Sequence, residues 1–247
     1  MNRLFNILKY EKLSSTNDKA KDLLRQNNLP EFSVITAREQ TKGRGQRNNV
    51  WHSNISENLI FSIISYPFFL TPAEQFYISK AVSEGIINYL NSEKEGFKIK
   101  WPNDIYYENK KICGILIENS IKGSEIKNSI IGIGLNVNEE KFPEYLPFAV
   151  SLKNITGVSY NIENELYKVL NCVYESFKRL RLRFFTEIDN LYSKNLYKIN
   201  EPGYFKDAQG IFEGTIKGTT PEGKLILQTS SGEIRTCNFK EIEFLQS

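Results

Sequence analysis

Lys100-Trp101-Pro102-Asn103-Asp104, with Lys110-Lys111-Ile112-Cys113-Gly114-Ile115-Leu116-Ile117-Glu118 close behind, is the most informative stretch of this 247-residue chain. Phe97 to Trp101 reads as a strand. Ile105-Tyr106-Tyr107 and Lys111 to Glu118 read as hairpin arms around Glu108-Asn109-Lys110. A strand end therefore delivers Lys100, Trp101, Asn103 and Asp104 to one small region, and the hairpin returns Lys111 to it. Lys111 stands where an apolar run begins (Ile112, Ile115, Ile117), so its ammonium is expected to be partly desolvated and to stabilise charge developing on a phosphate. Asp104 could bind a metal, accept a proton or cap the turn. The same residues also read as a plain turn whose lysines keep their charged heads in water.

Working outward, the turn Lys122-Gly123-Ser124 leads to a strand from Asn128 to Asn136. On the N-terminal side, Ile7 to Lys12 reads as a strand, Ser14 to Asp18 offer cap residues for a helix from about Asp18 to Gln26, and Phe32 to Thr36 alternates as a strand does. Gln40 to Ser53 is polar and Gly-rich, a long loop. Asn58 to Pro67 reads as a buried strand. Pro72 opens a helix to about Leu90 that stacks Ile78, Val82, Ile86 and Leu90 on one face. Glu163 to Phe185 is an amphipathic helix, with a shorter one near Ile188 to Asn195. From Glu201-Pro202-Gly203 onward only short β-like runs remain: Gly210 to Ile216, Lys224 to Gln228 and Glu233 to Cys237. The expected fold is α/β (α+β): a main body over 1–198 with a mixed sheet and helices, and a small β-barrel over 199–247.

Three further constellations could carry chemistry. Gln40-Thr41-Lys42-Gly43-Arg44-Gly45-Gln46-Arg47-Asn48-Asn49-Val50-Trp51 sets two glycines beside an arginine. That suits backbone amides and a guanidinium fork approaching an anion, though it equally suits a solvated basic loop. It is neither a P-loop nor a dinucleotide fingerprint. Gly132-Ile133-Gly134-Leu135-Asn136 places glycines inside an apolar strand, where a ligand or another backbone comes close. Asn136, a polar amide at the end of that strand, could meet a ligand. Ser15-Thr16-Asn17 reads first as a helix cap.

Composition removes several alternatives. Lys plus Arg number 32 and Asp plus Glu 29, a net charge of +3, too small to demand a nucleic-acid partner. One histidine, His52, rules out a zinc site with two His ligands, and any His-based triad would have to use it. Three scattered cysteines, Cys113, Cys172 and Cys237, with no C-x-x-C, read as buried reduced thiols of a cytoplasmic protein. Met1 to Lys9 holds no apolar run of signal-peptide length and no window approaches a membrane span, so neither is expected. No metal site built from protein side chains is expected.

Taken in order, Ser15-Thr16-Asn17, Gln40 with Gly43-Arg44-Gly45, Trp51, the K-W-P-N-D segment at 100–104, its partner K-x-x-G-I-L-x-E at 111–118, and Gly132 to Asn136 resemble the biotin–protein ligases. The K-W-P-N-D pair is the specific part, and the likeness covers roughly residues 14 to 138. The first strand begins near Ile7, so the likeness is to monofunctional ligases rather than ligase-repressors. The resemblance implies a fold similar to class II aminoacyl-tRNA synthetases with an SH3-like C-terminal barrel. It implies a two-step reaction. Biotin and MgATP give biotinyl-5′-AMP and pyrophosphate, and a lysine of a biotin carboxyl carrier domain then takes the biotinyl group.

Carried over by position, Ser15, Thr16, Asn17 and Gln40 would hold biotin, with Gly43, Arg44, Lys111, Gly114 and Gly132 around it. Arg44, Arg47, Trp51, Trp101, Asn103, Lys111 and Asn136 would meet ATP or the adenylate. Arg44, Lys111 and Asp104 would carry the chemistry, and Gln40 to Ser53 would order over the labile intermediate. The implied partners are biotin, ATP with Mg²⁺ and the carrier domain, without nucleic acid or membrane; monomer and homodimer both stay open. Many relatives carry Arg where Gln46 stands and Gly where Asn48 stands. The lost charge at 46 implies weaker retention of the adenylate unless Arg47 supplies it. The nearest rival of the same fold is a lipoate–protein ligase or octanoyl transferase; a non-catalytic ligand-binding protein is a rival of another class.

Overall fold

The structure, a computed structural model, describes residues 4–26, 29–46 and 49–245. Its main sheet has seven strands: β1 (Asn6–Leu13), β2 (Ser33–Gln40), β3 (Leu59–Ser65), β4 (Phe97–Lys100), β5 (Asp104–Tyr107), β6 (Lys110–Lys122) and β7 (Glu125–Leu135), in the order β1-β2-β3-β7-β6-β5-β4. Only β1 and β2 run parallel, and the crossover between them is α1 (Thr16–Gln26), as a parallel pair requires. Every other neighbour is antiparallel, so the sheet is mixed, as the sequence indicated.

Both faces of the sheet are covered, which is why β3 reads as an almost continuous apolar run and all of its residues are buried. On one face α1 packs over a small cluster of Ala20, Ile35, Ile64 and Ile130. On the other lie α2 (Phe76–Glu93), α4 (Ile162–Arg181) and α5 (Phe185–Lys194) over the main core. A short helix, α3 (Leu152–Thr156), closes the segment after β7.

The helix boundaries differ from the sequence expectation for local reasons. Pro72 does open a helical segment, but a separate 3-10 turn, Pro72–Glu74, capped by Thr71. The α-helix proper starts at Phe76. Ile78, Val82, Ile86 and Leu90 are fully buried, yet so are Ser83 and Glu84 on other sides of the helix, because α4 and α5 enclose it. The single helix expected over 163–185 ends at Arg181. Arg183 takes a left-handed backbone with φ 58°, and its guanidinium reaches back to Glu74 at 2.6 Å.

The C-terminal part forms a five-stranded antiparallel sheet of β8 (Pro202–Asp207), β9 (Gly210–Thr219), β10 (Leu225–Thr229), β11 (Ile234–Cys237) and β12 (Glu243–Phe244), ordered β11-β10-β9-β8-β12. Three of these strands were legible. β8 hid behind its Pro-Gly start, and β12 is two residues long. Phe205, Ile216, Leu225 and Leu227 join the main core rather than forming a separate one. Trp101 fastens the two sheets: its Nε1 donates to Gly223 O at 2.8 Å and its ring lies 5.2 Å from that of Phe239.

All three cysteines are free; Cys113 and Cys237 are buried, but Cys172 is only partly so, against the expectation that all three are buried. Burial pushes each thiol above its ordinary pKa. Among the described residues no helix is long and apolar enough to cross a membrane.

Gly85 sets the spacing of α2 and α4. A Cβ there would lie 2.5 Å from Val173 Cα and 2.9 Å from Val173 N. Both are backbone atoms that cannot swing aside. Gly85→Ala is expected to lose about 1–3 kcal/mol as the helices are forced apart, which calorimetric melting at neutral pH will register as a fall in Tm. An unchanged Tm would show that the helices separate freely.

Candidate active site

Strand register creates an opening in the sheet. Residues of β7 two apart share a face. Ile130 lies under α1, so Gly132 and Gly134 continue the same face beyond the helix N-terminus. The neighbouring strands place Gly114 opposite Gly134, Leu116 opposite Gly132, Ser62 opposite Gly132 and Ile60 opposite Gly134. Three glycines thus leave a trench where side chains would otherwise fill the face.

Two residues already lean into that trench. A Cβ on Gly132 would collide with Asn17 Oδ1, and one on Gly134 would fall within 2.6 Å of Trp51 Nε1. One on Gly114 would meet the Trp51 ring at 2.9 Å. Above the trench is a cavity of about 250 Å³. Ser15, Thr16, Asn17, Gln40, Arg44, Trp51, Trp101, Asn103, Asp104, Lys111, Gly114 and Gly132 all line it. Four segments distant in sequence meet there: the start of α1, the 40–51 segment, the 101–104 turn and the β6–β7 pair.

The polar end is tightly wired. Thr16 N donates to Gln40 Oε1 at 2.7 Å. Ser62 Oγ donates to Asn17 Oδ1 at 2.6 Å, with Thr16 Oγ1 at 2.8 Å. Asn17 Nδ2 donates to Glu118 Oε2 at 2.8 Å. The residues 15–17 therefore serve as a helix start and as a cavity wall at once, and α1 begins at Thr16 rather than near Asp18.

At the charged end each cation rests on carboxylates. Lys111 Nζ is 2.8 Å from Asp104 Oδ2, with its side chain one-third exposed, and 5.6 Å from the Trp51 ring centroid. Arg44 lies 2.6 Å from Asp18 and 3.3 Å from Glu118, and Glu118 also accepts from Lys21 at 2.7 Å. Burial alone would raise the pKa of Glu118. Hydrogen bonds from Lys21 and Asn17, with the charges of Lys21 and Arg44, outweigh it and hold the carboxyl below its ordinary value.

The 40–53 segment is more ordered than a plain loop. Arg44 pairs with Val50 as an isolated antiparallel bridge. Gly45 N donates to Asn49 O at 2.7 Å, and Trp51 N donates to Gly43 O at 3.0 Å. Gly43 lies beneath Trp51 rather than in the cavity wall. Asn136 is also outside the wall: its Nδ2 donates to Val150 O at 3.1 Å and its buried Oδ1 has no partner among the described residues. Arg47 and Asn48 lie outside the described residues, whereas Gln46 lines the cavity.

Several contributors escaped the sequence reading. Ser62, fully buried, orients Thr16 and Asn17; its one signal was a serine in the middle of an apolar strand. Asp18 and Glu118, as holders of Arg44, gave no signal before the fold joined them. Phe239, Ile242 and Phe244 of the C-terminal part form an apolar side of the cavity. Among the described residues no cluster of three or more His, Cys, Asp or Glu could hold a metal ion.

Residues 10–136 match the model of the biotin/lipoate A/B protein ligase family, and residues 205–245 match that of the biotin protein ligase C terminal domain. The bifunctional ligase/repressor BirA of Bacillus subtilis is 32% identical over 233 residues, which span 92% of this chain and 70% of that protein. Biotin–protein ligase 1 of Arabidopsis thaliana, chloroplastic, is 29% identical over 237 residues, 87% of this chain and 60% of its own length. Among solved structures, biotin protein ligase from Aquifex aeolicus in complex with biotin and ATP is similar with a TM-score of 0.82 at 26% identity, covering 98% of this chain and 99% of that one.

The Glu118 hub predicts an acid-sensitive site. Its folded pKa is depressed, so its stabilisation is complete above the ordinary Glu value of about 4.3 and is lost as pH falls through the lower folded value. Glu118→Gln, a neutral isostere, should melt below wild type at neutral pH, and the gap should close on acidification. Circular-dichroism melts across that range test this; a gap independent of pH would mean the carboxylate charge contributes nothing.

Proposed function

The chain belongs to the biotin/lipoate A/B protein ligase family, and from that premise we propose that it attaches biotin to a lysine of a carrier protein by way of biotinyl-5′-AMP. The observation that carries this reading is a single cavity with a hydrogen-bonding end, a glycine floor on which Asn17 and Trp51 rest, and two cations at its charged end. Such a site can force together two anions, the biotin carboxylate and the ATP phosphates, that repel each other in water.

In the first step a carboxylate oxygen of biotin attacks the α-phosphorus of ATP, and the bond to the β-phosphate breaks to release pyrophosphate. Ser15, Thr16, Asn17 and Gln40 are the groups for the ureido ring, a planar set of donors and one acceptor. Gln40 and Asn17 are already held in orientation by Thr16 N and Ser62, so little ordering is left for binding to supply. Arg44 and Lys111 then exchange partners. Each leaves a carboxylate of the protein for an anion of the substrate, so neither cation is ever buried unpaired. Mg²⁺ would travel on the ATP phosphates with Asp104 as the carboxylate at hand; magnesium of this kind commonly uses one or two carboxylates beside substrate phosphates. When bound it would supply further positive charge to the transferring phosphoryl group.

The second step needs a neutral lysine on the carrier. Once Lys111 has moved to the phosphate, Asp104 is free to accept or electrostatically favour loss of the incoming ammonium's proton. The amine nitrogen then attacks the acyl carbon, the bond to AMP oxygen breaks, and an amide remains. The 40–53 segment with Trp51, and the apolar Phe239, Ile242 and Phe244, shield the mixed anhydride from water.

Lys111→Ala should fold normally and lose biotin-dependent pyrophosphate release by about 10²–10³-fold, the usual consequence of removing one electrostatic contact to a transition state. Release at the wild-type rate from a folded variant would remove Lys111 from the site. Biotin transfer itself is read as a mass increase on a purified carboxyl carrier domain incubated with ATP and biotin; no increase would refute the reading.

Gln46 lines the cavity as a neutral amide. A charge-assisted hydrogen bond is roughly twice as strong as a neutral one, so Gln46→Arg should slow the escape of preloaded, labelled adenylate when no acceptor is present. An escape rate equal to wild type would show that position 46 does not face the phosphate.

A further inference from the structure

The chain's one histidine lies outside the steps above, yet it is held more deliberately than a surface residue needs. Glu139, fully buried, accepts from Asn58 Nδ2, from Asn54 N at 3.2 Å and from His52 Nε2 at 3.1 Å. With Nε2 donating, His52 Nδ1 is left to accept from the Tyr145 hydroxyl at 3.2 Å. The Tyr145 ring meets the imidazole edge-on at 6.2 Å. Asn58 in turn accepts from Val137 N at 2.9 Å, so the whole cluster is pinned to the segment just after β7.

His52 follows Trp51 directly, and on its other side Trp51 is anchored through backbone, by its own bond to Gly43 O and the Gly45 N bond to Asn49 O. Its indole Nε1 is buried and has no hydrogen-bond partner among the described residues. Nothing polar therefore fixes the ring from its own edge; its placement over Gly114 and Gly134 depends on where the backbone at 51–52 is held.

We propose that His52 is a positioning residue: gripped by Glu139 and Tyr145, it fixes the end of the 40–53 segment so that the Trp51 indole lies against the glycine floor, where it contacts the nucleotide half of the intermediate. The contact with nucleotide rests on the reaction proposed above, whereas the placement of the indole does not.

Two measurements separate these parts. Trp101 is only 5% exposed, so acrylamide quenching of the ligand-free protein reports chiefly on Trp51. His52→Phe, which keeps a ring but has no donor, should raise the quenching constant, and His52→Gln, whose amide can still donate to Glu139, should match wild type. In biotin-dependent ATP–pyrophosphate exchange, His52→Phe should raise KM for ATP about tenfold with kcat little changed, the order expected for one lost hydrogen bond to a charged group, while His52→Gln stays near wild type. Equal quenching in His52→Phe and wild type, or equal defects in the Phe and Gln variants, would overturn the proposal. If the wild-type protein shows no biotin-dependent exchange, the reaction falls and the quenching comparison alone decides the role of His52.

Discussion

The structure depends on the absence of three side chains. Gly114, Gly132 and Gly134 share the face of the sheet that α1 covers further along, and the register sets Gly114 against Gly134 across the strand pair. With any Cβ at these points the trench would close on Asn17 and Trp51. The cost is a weakened centre of the sheet, since glycine in a strand gives up packing and loses more backbone freedom on folding. The flanking runs offset it: Ile130, Ile131, Ile133 and Leu135 are all buried, and β6 and β7 are the longest strands of the sheet.

Electrostatics follows from that opening. In the proposed reaction the trench takes two anions, so cations must stand ready without being bare. Arg44 between Asp18 and Glu118, and Lys111 on Asp104, meet both needs. Partly exposed pairs of this kind contribute little to stability, so exchanging them for substrate anions costs little. Their value is geometric: each cation already stands at the cavity wall. Glu118 links the two ends of the site, because the carboxylate that holds Arg44 also orients Asn17.

The fold class was legible in the sequence, and most of the residues singled out for a site converge on one cavity. Residue types at fixed spacing, such as Lys100 to Asp104 with Lys111 to Gly114, carry chemistry on their face, and twelve of the fourteen proposed residues that the structure describes line one cavity, leaving Gly43 and Asn136 outside it. What stayed hidden was pairwise. Asp18 and Glu118 became partners of Arg44 only when α1 and β6 came together, and Ser62 gained its role from facing Gly132. Element ends also slipped, because they are decided by tertiary contacts. Arg181 ends α4 where Arg183 turns back to Glu74, and β12 exists only because β8 offers it an edge. The C-terminal strands read as a separate unit, yet their core is continuous with the main one, and Phe239, Ile242 and Phe244 complete the cavity. Trp101, read as a ligand contact, lines the cavity and also fastens the second sheet through Gly223.

The central claim of the proposed function is that the glycine face, with Asn17 over Gly132 and the Trp51 indole over Gly114 and Gly134, forms the floor of the biotin site. Titration calorimetry of biotin into Gly132→Ala tests it most directly. Alanine is compatible with strand backbone, so the variant should remain folded, and its methyl group displaces Asn17 from the trench. The clash with Asn17 exists without ligand, so the free protein melts lower by the equivalent of about 1–3 kcal/mol; with Asn17 displaced and a methyl group on the floor, the account also predicts biotin affinity reduced about 10- to 100-fold, with a cooperative melting transition retained. A folded Gly132→Ala protein that binds biotin as tightly as wild type would contradict it.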